Sequence, residues 1–170
     1  MKPTLYLMLG YPGSGKTTTA KIIHTLTGAV HLWADAIRRE KIGDPTYSHE
    51  ENINLYDYLN KVADQMLEAG QSVIFDTNFN FYKDREKLEE IAKKHGADTK
   101  IIWLTTEKSV AKRRATQDAH VQDTRVLGNM PPETFDRMSQ NLEEPRADEQ
   151  VVKVDGTKVS EAYIKELLDI

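Results

Sequence analysis

The chain has 170 residues, enough for one domain with a real hydrophobic core and too few for a second of ordinary size. A formal net charge of −4 argues against a protein that coats long DNA or RNA, yet it allows a local positive pocket. There is no cysteine, so disulfides and thiolate chemistry are excluded, and no apolar run approaches the length of a membrane span.

In chain order, TLYLMLG at residues 4–10 reads as a buried strand that ends in glycines and resumes as the helix GKTTTAKIIHTL. Its apolar run is too short, and too soon followed by GKT, for a secretory leader; a cytoplasmic location is expected. AVHLWA at 29–34 predicts a second strand, followed by a short helix DAIRREKI from Asp35 and a loop GDPTYSH. Residues 50–69 form a strong helix, with Ile53, Tyr56, Leu59, Val62, Ala63, Met66 and Leu67 at helical spacing and Gly70 closing it. QSVIFDT supplies a third strand ending at Asp76, and DREKLEEIAKKHG a helix stopped at Gly96.

TKIIWLT is a fourth strand, and EKSVAKRRATQ begins a helix. Periodicity then lapses, with mixed charge, from about Ala115 to Met130. MPPETFDRMSQNLEEP restarts a helix after its prolines, with Glu133 in the first turn. EQVVKVDG is a fifth strand and SEAYIKELLDI a closing helix. Strands alternating with helices predict a single α/β domain over residues 1–170: a three-layer sandwich around a five-stranded parallel sheet. Trp33 and Trp103, in or beside strands, read as core; Tyr56 reads as core and Tyr58 as half exposed.

Residues 10–17, GYPGSGKT, fit the phosphate-loop pattern G-x-x-x-x-G-K-[ST] in its required setting of strand, glycine loop and helix. Gly10, Gly13 and Gly15, with Pro12 and Ser14 between them, let backbone N–H groups turn inward around phosphate oxygens. The following helix adds its positive end. Lys16 is placed to reach the β- and γ-phosphates and Thr17 to put its hydroxyl on Mg²⁺. Thr18 or Thr19 either touches the α-phosphate or lies on the helix surface. The competing reading is an ordinary glycine turn before a helix. No N-K-x-D segment supports guanine recognition, and Asp76 is followed by Thr77 rather than by a glutamate that would activate water. The missing glutamate favours transfer to a bound acceptor over hydrolysis.

Asp35 and Arg38, three apart at a helix start, share a face just past the second strand. A carboxylate there can take the proton of an attacking hydroxyl, and a guanidinium can grip a phosphate. The same spacing equally suits a helix-capping aspartate with a surface salt bridge. The five histidines show no zinc spacing, and no second carboxylate pair suggests two-metal nuclease chemistry.

Taken together, GYPGSGKTT, DAIR and DTNFN resemble the P-loop kinase family that includes the 5′-hydroxyl polynucleotide kinases and related small ATP-binding kinases. The resemblance implies a nucleoside-monophosphate-kinase-like P-loop fold, ATP and Mg²⁺ as cofactors, and a hydroxyl-bearing acceptor such as a nucleic-acid 5′ end. It implies that Asp35 is the general base, that Arg38 contacts the phosphate beside the reacting hydroxyl, and that Asp76 orders Mg²⁺ or the acceptor pocket. Asn78 and Asn80 suit a loop-holding role. LEEPRADE is similar to an acidic, proline-containing segment after the lid in some relatives. Arginines in a helical lid clamp the transferred phosphate in this family; Arg113 or Arg114 matches by position, with Arg125 as the second candidate. Such arginines are worth about 10³–10⁵ in rate in other P-loop enzymes. The alternatives are a kinase for a small metabolite, nucleoside or antibiotic, and a nucleotide-binding regulatory protein.

Overall fold

The computed structural model describes residues 1–118, 120 and 128–170. Its strands are β1 (Thr4–Leu9), β2 (Val30–Trp33), β3 (Val73–Asp76), β4 (Asp98–Leu104) and β5 (Val151–Val154). Its helices are α1 (Lys16–Thr27), α2 (Ala34–Ile42), α3 (His49–Glu68), α4 (Tyr82–Lys94), α5 (Lys108–Thr116), α6 (Pro132–Gln140) and α7 (Glu161–Leu168). All pairings are parallel, in the order β2-β3-β1-β4-β5. This is the expected three-layer α/β sandwich of the nucleoside-monophosphate-kinase-like P-loop type.

The central strand shows why. Successive side chains of β1 point to opposite faces. Leu5, Leu7 and Leu9 enter one core with α3 and α4, and Tyr6 and Met8 enter another with α1 and α7. A strand buried on both faces needs an unbroken apolar run, which TLYLML provides. The loops following β1, β2 and β3 open at the same end of the sheet, as parallel strands require.

Helix α3 turns a different face to the core than its periodicity suggested. Its buried line is Leu55, Leu59, Ala63 and Leu67, spaced by four, with Tyr56, Val62 and Met66 on the shoulder. Ile53, expected on the buried face, is 46% exposed. Helical spacing admits neighbouring stripes, and the buried one runs through Leu55 rather than Ile53. Ser48 caps the helix by accepting from the Glu51 N–H at 3.1 Å. Trp103 packs against the α3/α4 core, whereas Trp33 is only half-buried at the start of α2. Tyr58 is half exposed and carries the Lys41 ammonium over its ring.

The most deeply buried charge was invisible in the sequence. Arg85 on α4 is 1% exposed and forks onto Glu149, Nε to Oε1 at 2.7 Å and Nη2 to Oε2 at 3.1 Å. Its Nη1 donates to the Phe79 carbonyl at 2.7 Å. Arg146 stacks on Tyr82, whose hydroxyl donates to Asp148. The acidic segment after α6 is thereby fastened to α4. Removing one partner leaves the other charge buried, so Arg85→Ala is expected to cost about 3–5 kcal/mol. The paired replacement Arg85→Met with Glu149→Leu should recover much of that loss, with urea unfolding midpoints as the measurement.

Candidate functional site

The phosphate loop is built from backbone packed on backbone. Gly13 sits at φ 78°, and a Cβ there would run into the Ala111 carbonyl and the Ala115 backbone N of α5. A Cβ on Gly156, in the turn after β5, would run into the Ser14 carbonyl and the Thr106 hydroxyl. Thr106 donates to that same carbonyl at 2.6 Å. No side chain caps the start of α1, which begins from Gly15 in the left-handed region at φ 107°. Its first amides are therefore open to an anion.

Lys16 is nearly buried, and its Nζ donates to the carbonyls of Gly10 and Tyr11, each at 2.8 Å. The ammonium lies folded across the loop it is expected to serve. Tyr11 packs on Phe135 of α6, ring centroids 6.3 Å apart, which ties the loop to that helix.

A cleft of about 1080 Å³ opens over this loop. Pro12, Gly13, Gly15, Lys16, Thr17 and Thr18 form its floor. Gly10 and Ser14, expected among the binding residues, do not line it. Ser14 is fully buried, and Gly10 lies beneath the loop at φ 153°, where a Cβ would come within 2.6 Å of the Ser14 hydroxyl. Thr19 is fully buried, not on the helix surface.

The cleft has two ends, separated because β2 and β5 are opposite edges of the sheet. Toward β2 it is lined by Asp35, Arg38, Tyr47, Asn52, Tyr56, Asp76, Thr77 and Asn78. Toward β5 it is lined by Arg114 and by Gly156, Thr157 and Val159. The Arg114 guanidinium donates to the Gly156 carbonyl at 3.1 Å. The turn after β5 escaped the sequence reading, although its Asp-Gly pair is an ordinary turn signal.

Asp35 is exposed in the first turn of α2, one position inside the helix, and is not its cap. Arg38 is 5% exposed and already engaged. It pairs with Glu51 through Nη1, donates to Asn52 Oδ1 from Nη2 at 2.7 Å, and lies 4.7 Å from the centre of the Tyr47 ring. Tyr47 holds a left-handed backbone at φ 54°, uncommon for a bulky residue. Glu51 also accepts from the Thr46 N–H and hydroxyl, each at 2.8 Å. Desolvation alone would raise the Glu51 carboxyl, but the Thr46 amide, Arg38 and the Thr46 hydroxyl together bring it down to about 2. Arg38 is thus a paired arginine in the cleft wall, not the surface partner of Asp35.

Asp76 is 4% exposed at the end of β3, with His31 Nε2 at 2.9 Å from its Oδ2. Tyr56 and Thr77 join hydroxyls at 2.8 Å, and burial, first among several influences, raises the Tyr56 phenol. Asn80 holds a loop as expected: its amide donates to the Met138 carbonyl at 3.1 Å and its own carbonyl accepts from the Glu143 N–H at 2.6 Å. Asn78 lines the cleft.

Of the arginines expected to belong to a lid, Arg113 and Arg114 line the cleft, with Arg113 3.4 Å from Asp118. Arg125 lies outside the described residues. Arg137 of α6 also lines the cleft, and the sequence reading missed it because it stands beyond the aperiodic segment where lid arginines were sought. The Thr17 hydroxyl and Asp76 carboxylate are hard oxygen donors on one cleft. Among the described residues no three His, Cys, Asp or Glu side chains converge into a metal cage of their own. That donor set fits Mg²⁺, which commonly binds through one or two protein oxygens and keeps waters and substrate phosphates. No helix among the described residues is long and apolar enough to cross a membrane.

A family profile described as an AAA domain matches residues 5–145, and the chain belongs to that family. No curated protein matches the chain. Among solved structures, a protein of Chloroflexus aurantiacus j-10-fl assigned as a kinase is 20% identical, with 99% of this chain and 98% of that one covered and a TM-score of 0.78. A sugar kinase from Janibacter sp. HTCC2649 is 22% identical over 100% of this chain and 96% of that one, TM-score 0.69. The Pnkp1/Rnl/Hen1 RNA repair complex contains a chain 20% identical, covering 83% of this chain and 44% of that one, TM-score 0.68. At such identities the likeness is one of fold. It extends to kinases of small molecules and is not specific to polynucleotide kinases, which broadens the resemblance suggested by the motifs.

The Glu51 network predicts a pH dependence. A depressed carboxyl contributes stability that is fully present above its unfolded value of 4.5 and is lost as pH falls toward about 2. Thermal midpoints of the parent and of Glu51→Gln should therefore differ by a constant amount above about pH 5, with the difference shrinking below that and vanishing only as pH falls through about 2.

Proposed function

We propose that this member of the AAA domain family is an ATP- and Mg²⁺-dependent phosphotransferase acting on a hydroxyl of a small acceptor that carries no phosphate at the Arg38 position. The observation that carries this reading is one cleft shared by the phosphate loop, Asp76 and Asp35 at a site where Arg38 is already neutralised by Glu51. Kinase folds that include a sugar kinase support it as analogy. Under this reading residues 112–131 act as the lid of a single kinase domain.

The chemistry follows from the two-ended cleft. The donor's nucleoside end rests toward Gly156, Thr157 and Val159, and its phosphates over Lys16, Thr17 and Thr18. The acceptor enters from the β2 side, past Tyr47 and Asn52. Its hydroxyl oxygen forms a bond to the γ-phosphorus while the bond from that phosphorus to the β,γ-bridging oxygen breaks, and ADP leaves. Asp35 orients the hydroxyl and takes its proton late, when bond formation has made it acidic. Lys16 neutralises charge at the bridging oxygen. Thr17 and Asp76 would hold Mg²⁺, which would supply charge neutralisation to the donor's phosphates. Arg113, Arg114 and Arg137 are the arginines available to the equatorial oxygens.

A second reading, transfer to the 5′-hydroxyl of a polynucleotide, draws on the Asp35–Arg38 spacing and on the fold shared with the RNA repair complex. It requires Glu51 to release Arg38 to the acceptor's phosphate.

Label transfer from ATP to sugars, nucleosides and 5′-hydroxyl oligonucleotides is the test. Lys16→Ala should nearly abolish transfer, and Asp35→Asn should keep ATP affinity while losing about 10²–10⁴ in rate. Arg38→Ala should affect matched nucleosides with and without a 3′-phosphate equally. A selective loss on the phosphorylated member would favour the polynucleotide reading. Single alanine replacements of Arg113, Arg114 and Arg137 should lower kcat in at least one case with the fold intact; three near-normal values would end the lid-clamp idea. ATP binding with no transfer to any acceptor would favour a regulatory nucleotide-binding role.

A further inference from the structure

A buried carboxylate is costly unless its charge is matched. Asp76, its side chain 3% exposed, has one side-chain hydrogen bond among the described residues, from His31 Nε2 to Oδ2 at 2.9 Å. One carboxylate oxygen is therefore pinned in a residue that lines the cleft beside Thr17 and Lys16.

The register explains how His31 reaches it. In the parallel pair of β2 and β3, His31 lies opposite Ile74 and Trp33 opposite Asp76. Residues two apart share a face, so His31, Trp33 and Asp76 all project toward the α1 side, where Thr17 begins its helix. The imidazole is stacked on the Trp33 ring with centroids 6.0 Å apart and planes 5° apart. The Lys21 ammonium of α1 lies 5.1 Å from the centre of the Trp33 ring. The ring that holds Asp76 is thus itself held in plane, and His31, 13% exposed, has little room to swing away.

We propose that His31 is a positioning residue for the metal site: by fixing Oδ2 it holds the Asp76 carboxylate in the one orientation that presents Oδ1 to the divalent cation bound with the nucleotide. The inference rests on the phosphotransferase reading only for the presence of that nucleotide and cation. Outer partners of a metal-binding carboxylate typically change metal affinity by about 10–100-fold when removed. A purely structural role for His31 would alter stability and leave the cation's effect on nucleotide affinity alone.

The experiment is calorimetric titration of ADP into the full chain at one pH, with excess Mg²⁺ and with EDTA. The readout is the ratio of the two dissociation constants. The parent should bind ADP more tightly with Mg²⁺, and Asp76→Asn should reduce that gain. His31→Leu, which removes the donor, should cut the ratio about 10-fold or more while the EDTA value stays near the parent's. His31→Gln, whose side-chain amide can still donate, should retain most of the gain. His31→Asn, polar but too short to reach, should behave like the leucine variant and replaces it if that protein does not fold. A parent-like ratio in the leucine or asparagine variant overturns the proposal, as does a glutamine variant that fails equally. A parent that binds ADP with no Mg²⁺ effect also overturns it while leaving the phosphate loop standing. Absence of ADP binding altogether instead removes the nucleotide reading beneath it.

Discussion

Everything in this molecule is arranged around a stretch of main chain that has no space beside it. Between β1 and α1 the backbone is pressed on one side by α5, at Gly13, and on another by the turn after β5, at Gly156. The Thr106 hydroxyl ties the Ser14 carbonyl from the end of β4. The loop closes on itself where the Ser14 N–H donates to the Tyr11 carbonyl at 3.0 Å, and the packing around it fixes its shape from outside. The ends of β4 and β5 and the first turns of α5 supply that outer mould, and the sheet order brings those elements to it.

The second organising feature is the unequal standing of the arginines. Arg85 is consumed by Glu149 and is part of the scaffold. Arg38 is consumed by Glu51 yet remains in the cleft wall. Arg113, Arg114 and Arg137 line the cleft, Arg113 lying 3.4 Å from Asp118 and Arg114 donating to the Gly156 carbonyl at 3.1 Å. A guanidinium committed to a carboxylate acts on a substrate by shape and by the ring stacked on it, not as a free charge. That standing of Arg38 is what supports the proposal of a small acceptor with no phosphate at this wall.

What could be read from the sequence divides along the same line. The phosphate loop was legible because its function demands glycines at fixed intervals. The five strands were legible because a parallel sheet buried on both faces demands continuous apolar runs. Asp35 and Asp76 were placed on the cleft because strand ends in such sheets converge. The partners of Arg38 and Arg85 were not legible: those pairs join residues 13 and 64 positions apart, and nothing local distinguishes a buried Arg from a solvated one. The face of α3 was misjudged at Ile53 because helical spacing admits neighbouring stripes. Arg137 was missed for a simpler reason, since the helix carrying it was taken as framework and not as cleft wall.

The turn that follows β3 is short, and both of its ends matter. It starts at Asp76 and finishes at Asn80, which grips the Met138 carbonyl near the end of α6 and receives the Glu143 amide just beyond it. Where a change at one end of the turn shifts the other, linkage makes the effect mutual. If a bound cation shifts the turn, the docking of α6 changes by a definite coupling energy, and whatever stabilises α6 changes cation affinity by the same amount. Five residues would then make chemistry and closure a single thermodynamic variable.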